Sequence, residues 1–175
     1  MVGRALPRGA GGQLRAGRGI KNHMLKIEKV DHVGIRISDN VASVAFYREL
    51  GFDLIADAGF DQGHPIIMRN KASGVTLNLL GPSTSGGGSN ILMDIDEKHP
   101  GYTHVALRIS SMDDTKAFLD AKGIPTTGSF SFGGLTAVFI RDPDGNVIEL
   151  DEFRGDEAEQ GRDGAVDWEG YSNHP

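Results

Sequence analysis

The sequence predicts an α+β fold made of two copies of one β-α-β-β-β module. The stretch DHVGIRIS at residues 31–38 returns as THVALRIS at residues 103–110, which sets an offset of 72. Between the copies lies GPSTSGGGSN, which has the composition of a flexible linker. The same offset aligns Ala45 with Ala117, Phe46 with Phe118 and Gly51 with Gly123. After a one-residue deletion the offset becomes 71, which aligns Asn78 with Glu149.

The elements of the first module follow from local patterns. Alternating apolar residues in VDHVGIRIS predict a strand. In DNVASVAFYRELGF the apolar positions recur at helical spacing, with Ser38 or Asp39 as the N-cap and Gly51 at the end. Three short strands follow, and the last two form a hairpin in IIMRNKASGVTLNLL, whose turn contains Gly.

The second module repeats this plan. YTHVALRIS is a predicted strand, and SMDDTKAFLDAKGI is a predicted helix that begins at Ser110 or Ser111 and ends at Gly123. The closing hairpin is AVFIRDPDGNVIEL, whose turn carries Asp-Pro and Asp-Gly. The order of elements is therefore the same in both halves.

Composition sets the limits of the folded part. Gly- and Arg-rich residues 1–23 lack the apolar core of a secretory signal, so we expect a disordered extension. Polar and acidic residues 153–175 are expected to form a mobile tail. The expected divisions of the single domain, 24–152, are the first module 28–80, the linker 81–100 and the second module 101–152.

Charge and cysteine usage exclude several classes of function. The absence of Cys excludes disulfides, thiolate zinc sites and a cysteine nucleophile, and it fits a reducing, cytoplasmic compartment. No apolar run approaches the roughly 18 residues of a membrane span, so no membrane partner is expected. From Met24 onward 13 basic residues face 24 acidic ones, a net charge of −11 that disfavours nucleic acid as a partner.

The repeated histidine indicates a site. His32 and His104 hold equivalent strand positions, and the small Gly34 and Ala106 leave room for a ligand if the halves pack with pseudo-twofold symmetry. Glu149 lies in an apolar strand, where a carboxylate is costly to bury unless it is paired or bound to metal. Two imidazoles and one carboxylate are a common ligand set of catalytic zinc and non-heme iron. The other interpretation is that both His are hydrogen-bonded structural residues and Glu149 faces solvent.

Over about residues 28–152 the chain resembles the vicinal oxygen chelate superfamily, through DHVGIRI, AFYRELGF, GYTHVALRI and RDPDGNVIEL. That superfamily includes glyoxalase I, methylmalonyl-CoA epimerase, fosfomycin- and bleomycin-resistance proteins, and extradiol dioxygenases. The resemblance implies a U-shaped, barrel-like mixed sheet around a divalent metal ion, which is zinc, nickel, cobalt, manganese or iron. It also implies a homodimer and, by position, the metal ligands His32, His104 and Glu149.

The resemblance implies a lyase or isomerase that acts on a small-molecule substrate with adjacent oxygens through an enediolate, as lactoylglutathione lyase does, with Glu149 as the catalytic base. Asn78 stands where glyoxalase I has Glu and the epimerase Gln, and Asn offers an oxygen without acting as a base. An extradiol dioxygenase uses the same ligands with iron, but Phe139 stands where such enzymes have Tyr. A non-catalytic, resistance-type binding protein is the third alternative.

Three residues are candidates for binding the substrate. Arg36 and Arg108 share the histidine faces of their strands and would suit an anionic group, whereas Asn78 would offer its carbonyl oxygen. The competing interpretation of both Arg residues is a paired charge at the strand exit. These residues leave the identity of the substrate open.

Overall fold

The computed structural model describes residues 25–85 and 87–155. The elements follow the predicted order in both modules. The first module contains β1 (Val33–Arg36), α1 (Asn40–Glu49), β2 (Asp53–Asp57), a short 3-10 helix (Phe60–Gln62), β3 (Ile66–Arg69) and β4 (Thr76–Leu80). The second contains β5 (His104–Arg108), α2 (Met112–Lys122), β6 (Thr126–Phe132), β7 (Leu135–Arg141) and β8 (Val147–Phe153). The expected extension at 1–23 and residues 156–175 of the expected tail lie outside the described residues.

Each module forms its own four-stranded mixed sheet. The strand orders are β1-β4-β3-β2 and β5-β8-β7-β6, with β1 parallel to β4 and β5 parallel to β8. The other neighbouring pairs are antiparallel. The α+β class is confirmed, and the two sheets do not close into a barrel within the described ranges.

The strand register reproduces the sequence repeat. In the first sheet Gly34 pairs with Asn78, and in the second Ala106 pairs with Glu149. Asn78 and Glu149 are therefore structurally equivalent. Each is paired with a small residue of the neighbouring strand that follows a histidine by two positions. This is the correspondence that the repeat predicts.

Both helices begin at N-cap residues that the sequence predicts. Asp39 caps α1, and its Oδ1 accepts the N–H groups of Val41 and Ala42 at 2.8 and 3.0 Å. Ser111 caps α2 through a bond from the N–H of Asp114, and Gly123 ends it with a φ of 65°. Within the described ranges, no helix has both the length and the apolar character needed to cross a membrane.

One apolar cluster joins the two modules. The faces of both sheets that pack on the helices contribute buried side chains to it, and so do residues of α1 and α2. Its members include Ile35, Ile37, Tyr47, Met68, Leu77, Leu79, Leu119, Val138, Ile140, Ile148 and Leu150. Because side chains alternate along a strand, the opposite face of the second sheet is left for His104 and Glu149.

The turn between β7 and β8 fastens the second module to α1 of the first. The hydroxyl of Tyr47 donates to Asp142 Oδ2 at 2.9 Å, and both residues are buried. The backbone N–H of Ser38 donates to Asp144 Oδ2 at 3.0 Å, and the Ser38 hydroxyl donates to Oδ1 of the same carboxylate. These carboxylates therefore help to fix the orientation of one module relative to the other.

Candidate metal-binding site

His104 and Glu149 form a pair on the open face of the second sheet. His104 Nε2 lies 2.9 Å from Glu149 Oε2, and His104 Nδ1 lies 2.9 Å from the hydroxyl oxygen of Thr103. The ring of Phe139 meets the imidazole edge-on, with ring centres 6.2 Å apart. The imidazole is thus held at both nitrogens and at its side, while the Glu149 side chain is only 10% exposed.

The surroundings of Glu149 raise its pKa toward neutral pH. Burial, followed by the nearby charge of Asp151, raises the pKa of Glu149 to about 7. Burial also raises the pKa of Asp151, although a hydrogen bond from Glu149 and the charge of His104 act in the opposite direction. Each of the two carboxyls therefore affects the titration of the other.

His32 and Asn78 lie together in the first module. His32 Nδ1 is 2.9 Å from Asp31 Oδ2, and this hydrogen bond is the main reason that the pKa of Asp31 is lowered. His32 and Asn78 line one cavity of about 380 Å³, together with Lys29 and Arg69. The first module thus carries a half-site that is equivalent to the His104–Glu149 half-site of the second.

His32 and His104 line different cavities, and no three His, Asp or Glu side chains of the described residues are arranged to hold a metal ion. β1 and β5 are outer strands of two separate sheets. The ligand set of His32, His104 and Glu149 stays a prediction.

The three candidate substrate-binding residues line three different cavities. Arg36 lines a cavity of about 500 Å³ that His104 also lines, so these two residues are brought together. Arg108 lines another cavity, of about 820 Å³, and its guanidinium lies 5.1 Å from the centre of the Phe153 ring. Asn78 lies with His32, so the substrate-binding roles of all three stay predictions.

Two features of the site go beyond the sequence predictions. Asp151 is a second buried carboxylate on the face of Glu149, and Thr103 binds the nitrogen of His104 that faces away from Glu149. Asp151 has a signal in the sequence, because residues two apart in a strand share a face. Thr103 has no comparable signal, since its contact depends on the side-chain torsion.

The second half-site has donor chemistry that suits a divalent cation. An imidazole nitrogen and a carboxylate oxygen lie 2.9 Å apart, a separation at which both can contact one ion. Asp151 Oδ1 is buried and has no hydrogen-bond partner among the described residues, so it is a further acceptor in this region. These groups fit part of a metal ligand set.

A family model matches residues 29–150, and its description is the Glyoxalase/Bleomycin resistance protein/Dioxygenase superfamily. The chain belongs to this superfamily. The resemblance carried by the repeated His strands and the closing hairpin is thereby confirmed. No curated protein sequence gives a significant match.

Many solved structures have a similar fold. A glyoxalase family protein from Enterococcus faecalis is 25% identical, with a TM-score of 0.58, and the match covers 71% of this chain and 98% of that one. TnmS3, an antibiotic binding protein from Streptomyces sp. CB03234, is 24% identical, with a TM-score of 0.57 and coverages of 75% and 100%. Lactoylglutathione lyase from Agrobacterium tumefaciens is 22% identical, with a TM-score of 0.54 and coverages of 72% and 94%. This superfamily member therefore shares its fold with both enzymes and binding proteins.

Proposed function

We propose that this superfamily member is a metal-dependent lyase or isomerase that acts on a small molecule with adjacent oxygens. The observation that carries the proposal is the pair formed by His104 and the buried Glu149 at 2.9 Å. Members of the superfamily generally use divalent metals, and the similarity to lactoylglutathione lyase supports this class of chemistry. The residues that would hold the metal are His104, Glu149 and His32.

In this proposal Glu149 is the group that moves a proton. A divalent cation bound at this site would polarise a substrate carbonyl oxygen. The Glu149 carboxylate would accept a proton from the carbon beside that carbonyl and return it. Phe139 and Phe130, whose ring centres are 6.0 Å apart, would keep water from one side of the substrate. Arg36 would bind an anionic group of the substrate in the cavity that it shares with His104.

The separation of the half-sites supports a homodimer in which each complete site takes residues from two copies. Val30 and Tyr102, which precede His32 and His104 by two residues each, are apolar or aromatic and are 79% and 101% exposed. One large exposed side chain of this kind therefore lies beside each half-site, where a partner could cover it. A twofold axis would then join His32 of each copy with His104 and Glu149 of the partner subunit.

Mixed dimers test this arrangement. His32→Ala and Glu149→Gln chains carrying different affinity tags are expressed together, and the mixed dimer is isolated by using both tags in turn. One of its two sites would combine both substitutions, whereas the other would have every ligand intact. We expect about one tightly bound zinc ion per mixed dimer, about two per wild-type dimer and none in either variant alone, as measured by elemental analysis.

Three results would contradict the shared site. A mixed dimer without zinc would place all ligands within one chain, and a monomeric wild-type protein would remove the partner altogether. Full zinc content in the His32→Ala protein would exclude His32 as a ligand. Size-exclusion chromatography with light scattering gives the oligomeric state of each preparation.

A turnover assay tests the reaction class. Metal-loaded protein is offered hemithioacetals formed from 2-oxoaldehydes and glutathione, and the thioester product is followed by its ultraviolet absorbance. We expect turnover that falls at least about 100-fold in Glu149→Gln, because this variant loses a metal ligand and the proton acceptor together. Oxygen consumption with catechols under Fe(II), without isomerisation, would instead establish a ring-cleaving dioxygenase.

A binding protein is the second candidate. In the first half-site the position equivalent to Glu149 is Asn78, which cannot act as a second base. The aromatic rings of Phe130 and Phe139 suit a flat ligand. The similarity to an antibiotic binding protein agrees with this function. Tight binding of aromatic compounds together with no turnover of any substrate above would favour it over the enzyme.

A further inference from the structure

Asp151 is buried without an evident structural reason. Asp151 is 8% exposed, and its Oδ1 has no hydrogen-bond partner among the described residues. A buried carboxylate oxygen left without a partner costs free energy. Glu152 Oε2 is also buried without a hydrogen-bond partner among the described residues, although it lies 3.5 Å from Arg154 Nη2. Asp151 differs from it in lying on the face of His104 and Glu149, which makes Asp151 a candidate for function.

The register of β8 directs Asp151 to the half-site. Glu149 and Asp151 are two residues apart in one strand, so their side chains lie on the same face as His104. In the two neighbouring strands, Ala106 and Phe139 are paired with Glu149, whereas Arg108 and Ala137 are paired with Asp151. The two carboxyls are close enough for the charge of Asp151 to raise the pKa of Glu149, after burial, and the charge of His104 acts on Asp151.

We propose that Asp151 belongs to the metal site as a buried carboxylate that adds a second negative charge on the face of His104 and Glu149 and so strengthens the binding of a divalent cation. This inference rests on the proposed function. A divalent cation would compensate both buried carboxylates, which a hydrogen bond between them compensates only in part. Partners of metal ligands orient those ligands and raise their affinity for the ion.

Calorimetric titration with zinc alone tests the role of Asp151. Asp151→Asn keeps the shape of the side chain and removes its charge, and we expect the affinity for zinc to fall about 10- to 100-fold. Asp151→Glu keeps the charge and is expected to restore most of the affinity. Glu152→Gln is the matched control, because it removes a charge from the neighbouring residue, which points to the opposite face of the strand.

The absorption spectrum of the cobalt-loaded protein gives a second measurement. Loss of Asp151 is expected to change the visible bands of Co²⁺, because the negative charge beside the metal ligands is lost, whereas Glu152→Gln would leave them unchanged. Wild-type zinc affinity in Asp151→Asn would overturn the inference. So would an equal loss in Asp151→Asn and Glu152→Gln. If the Asn variant does not fold, the Glu variant decides: retained zinc binding supports the role and lost binding overturns it.

The proposed function and this inference fail in different ways. A wild-type protein that binds no zinc, nickel, cobalt, manganese or iron would exclude the proposed metal-dependent reaction. A wild-type protein that binds zinc as tightly as its Asp151→Asn variant would exclude only the role of Asp151.

Discussion

Glu149→Gln is expected to lower the affinity for a divalent cation by on the order of 100-fold or more, and His104→Ala is expected to do the same. Each substitution removes one of two donor atoms that lie 2.9 Å apart in the second half-site. Gln keeps the size of the side chain but loses the negative charge. Calorimetric titration with zinc, nickel and cobalt measures the affinity, and elemental analysis of tag-free protein measures the metal content.

The control for this prediction lies three residues further along the same strand. Glu152→Gln removes the same charge on the opposite face and is expected to leave the affinity within about twofold of wild type. Unchanged metal content in both Glu149→Gln and His104→Ala would contradict the assignment of the half-site. A folded Glu149→Gln protein, confirmed by its circular dichroism, is required for the comparison. The bound metal itself then separates reaction classes, because iron favours ring cleavage, whereas zinc, nickel, cobalt or manganese favours a lyase or isomerase.

Asp142→Ala is expected to lower the free energy of unfolding by about 3–5 kcal/mol. Four donors lose their acceptor at once: the hydroxyl of Tyr47, the N–H groups of Asp144 and Asn146, and the side-chain amide of Asn146. Tyr47 is 1% exposed, so water cannot replace the missing bond without opening the core. Urea denaturation, followed by circular dichroism and by fluorescence, measures the change.

Two variants test whether the effect comes from the junction between the modules. Asp142→Asn keeps one acceptor oxygen and is expected to cost less than Asp142→Ala. Asp120→Ala changes an exposed acid of α2 and is expected to stay within about 0.5 kcal/mol of wild type. A loss of less than about 1 kcal/mol in Asp142→Ala would show that the apolar cluster alone orients the modules.

The sequence by itself determined the modules and their internal register. A strand repeats with a period of two and a helix with 3.6, so apolar spacing is enough to place β1, α1 and their copies β5 and α2. The offset between the copies also predicted that Asn78 and Glu149 are equivalent, as their pairing with Gly34 and Ala106 confirms. These features depend on neighbours that are close in the chain, or on the comparison of one half with the other.

The sequence could not decide how the halves meet. The repeat suggested that His32 and His104 converge, whereas the chain places them in different cavities. The bond from Tyr47 to Asp142 spans 95 positions of the sequence, and neither residue carries a local signal for it. Such contacts depend on packing between elements rather than on periodicity within them.

Only the tertiary structure decided which carboxylates are functional candidates. In the sequence, Glu149, Asp151 and Glu152 are three acids of one predicted strand. In the folded sheet, Glu149 and Asp151 are buried on the face of His104, whereas Glu152 lies on the other face. Burial then raises the pKa of Glu149 to about 7. The identity of these residues was in the sequence, but their desolvation and mutual distance were set by the folded sheet, because free energies of burial depend on what surrounds a charge.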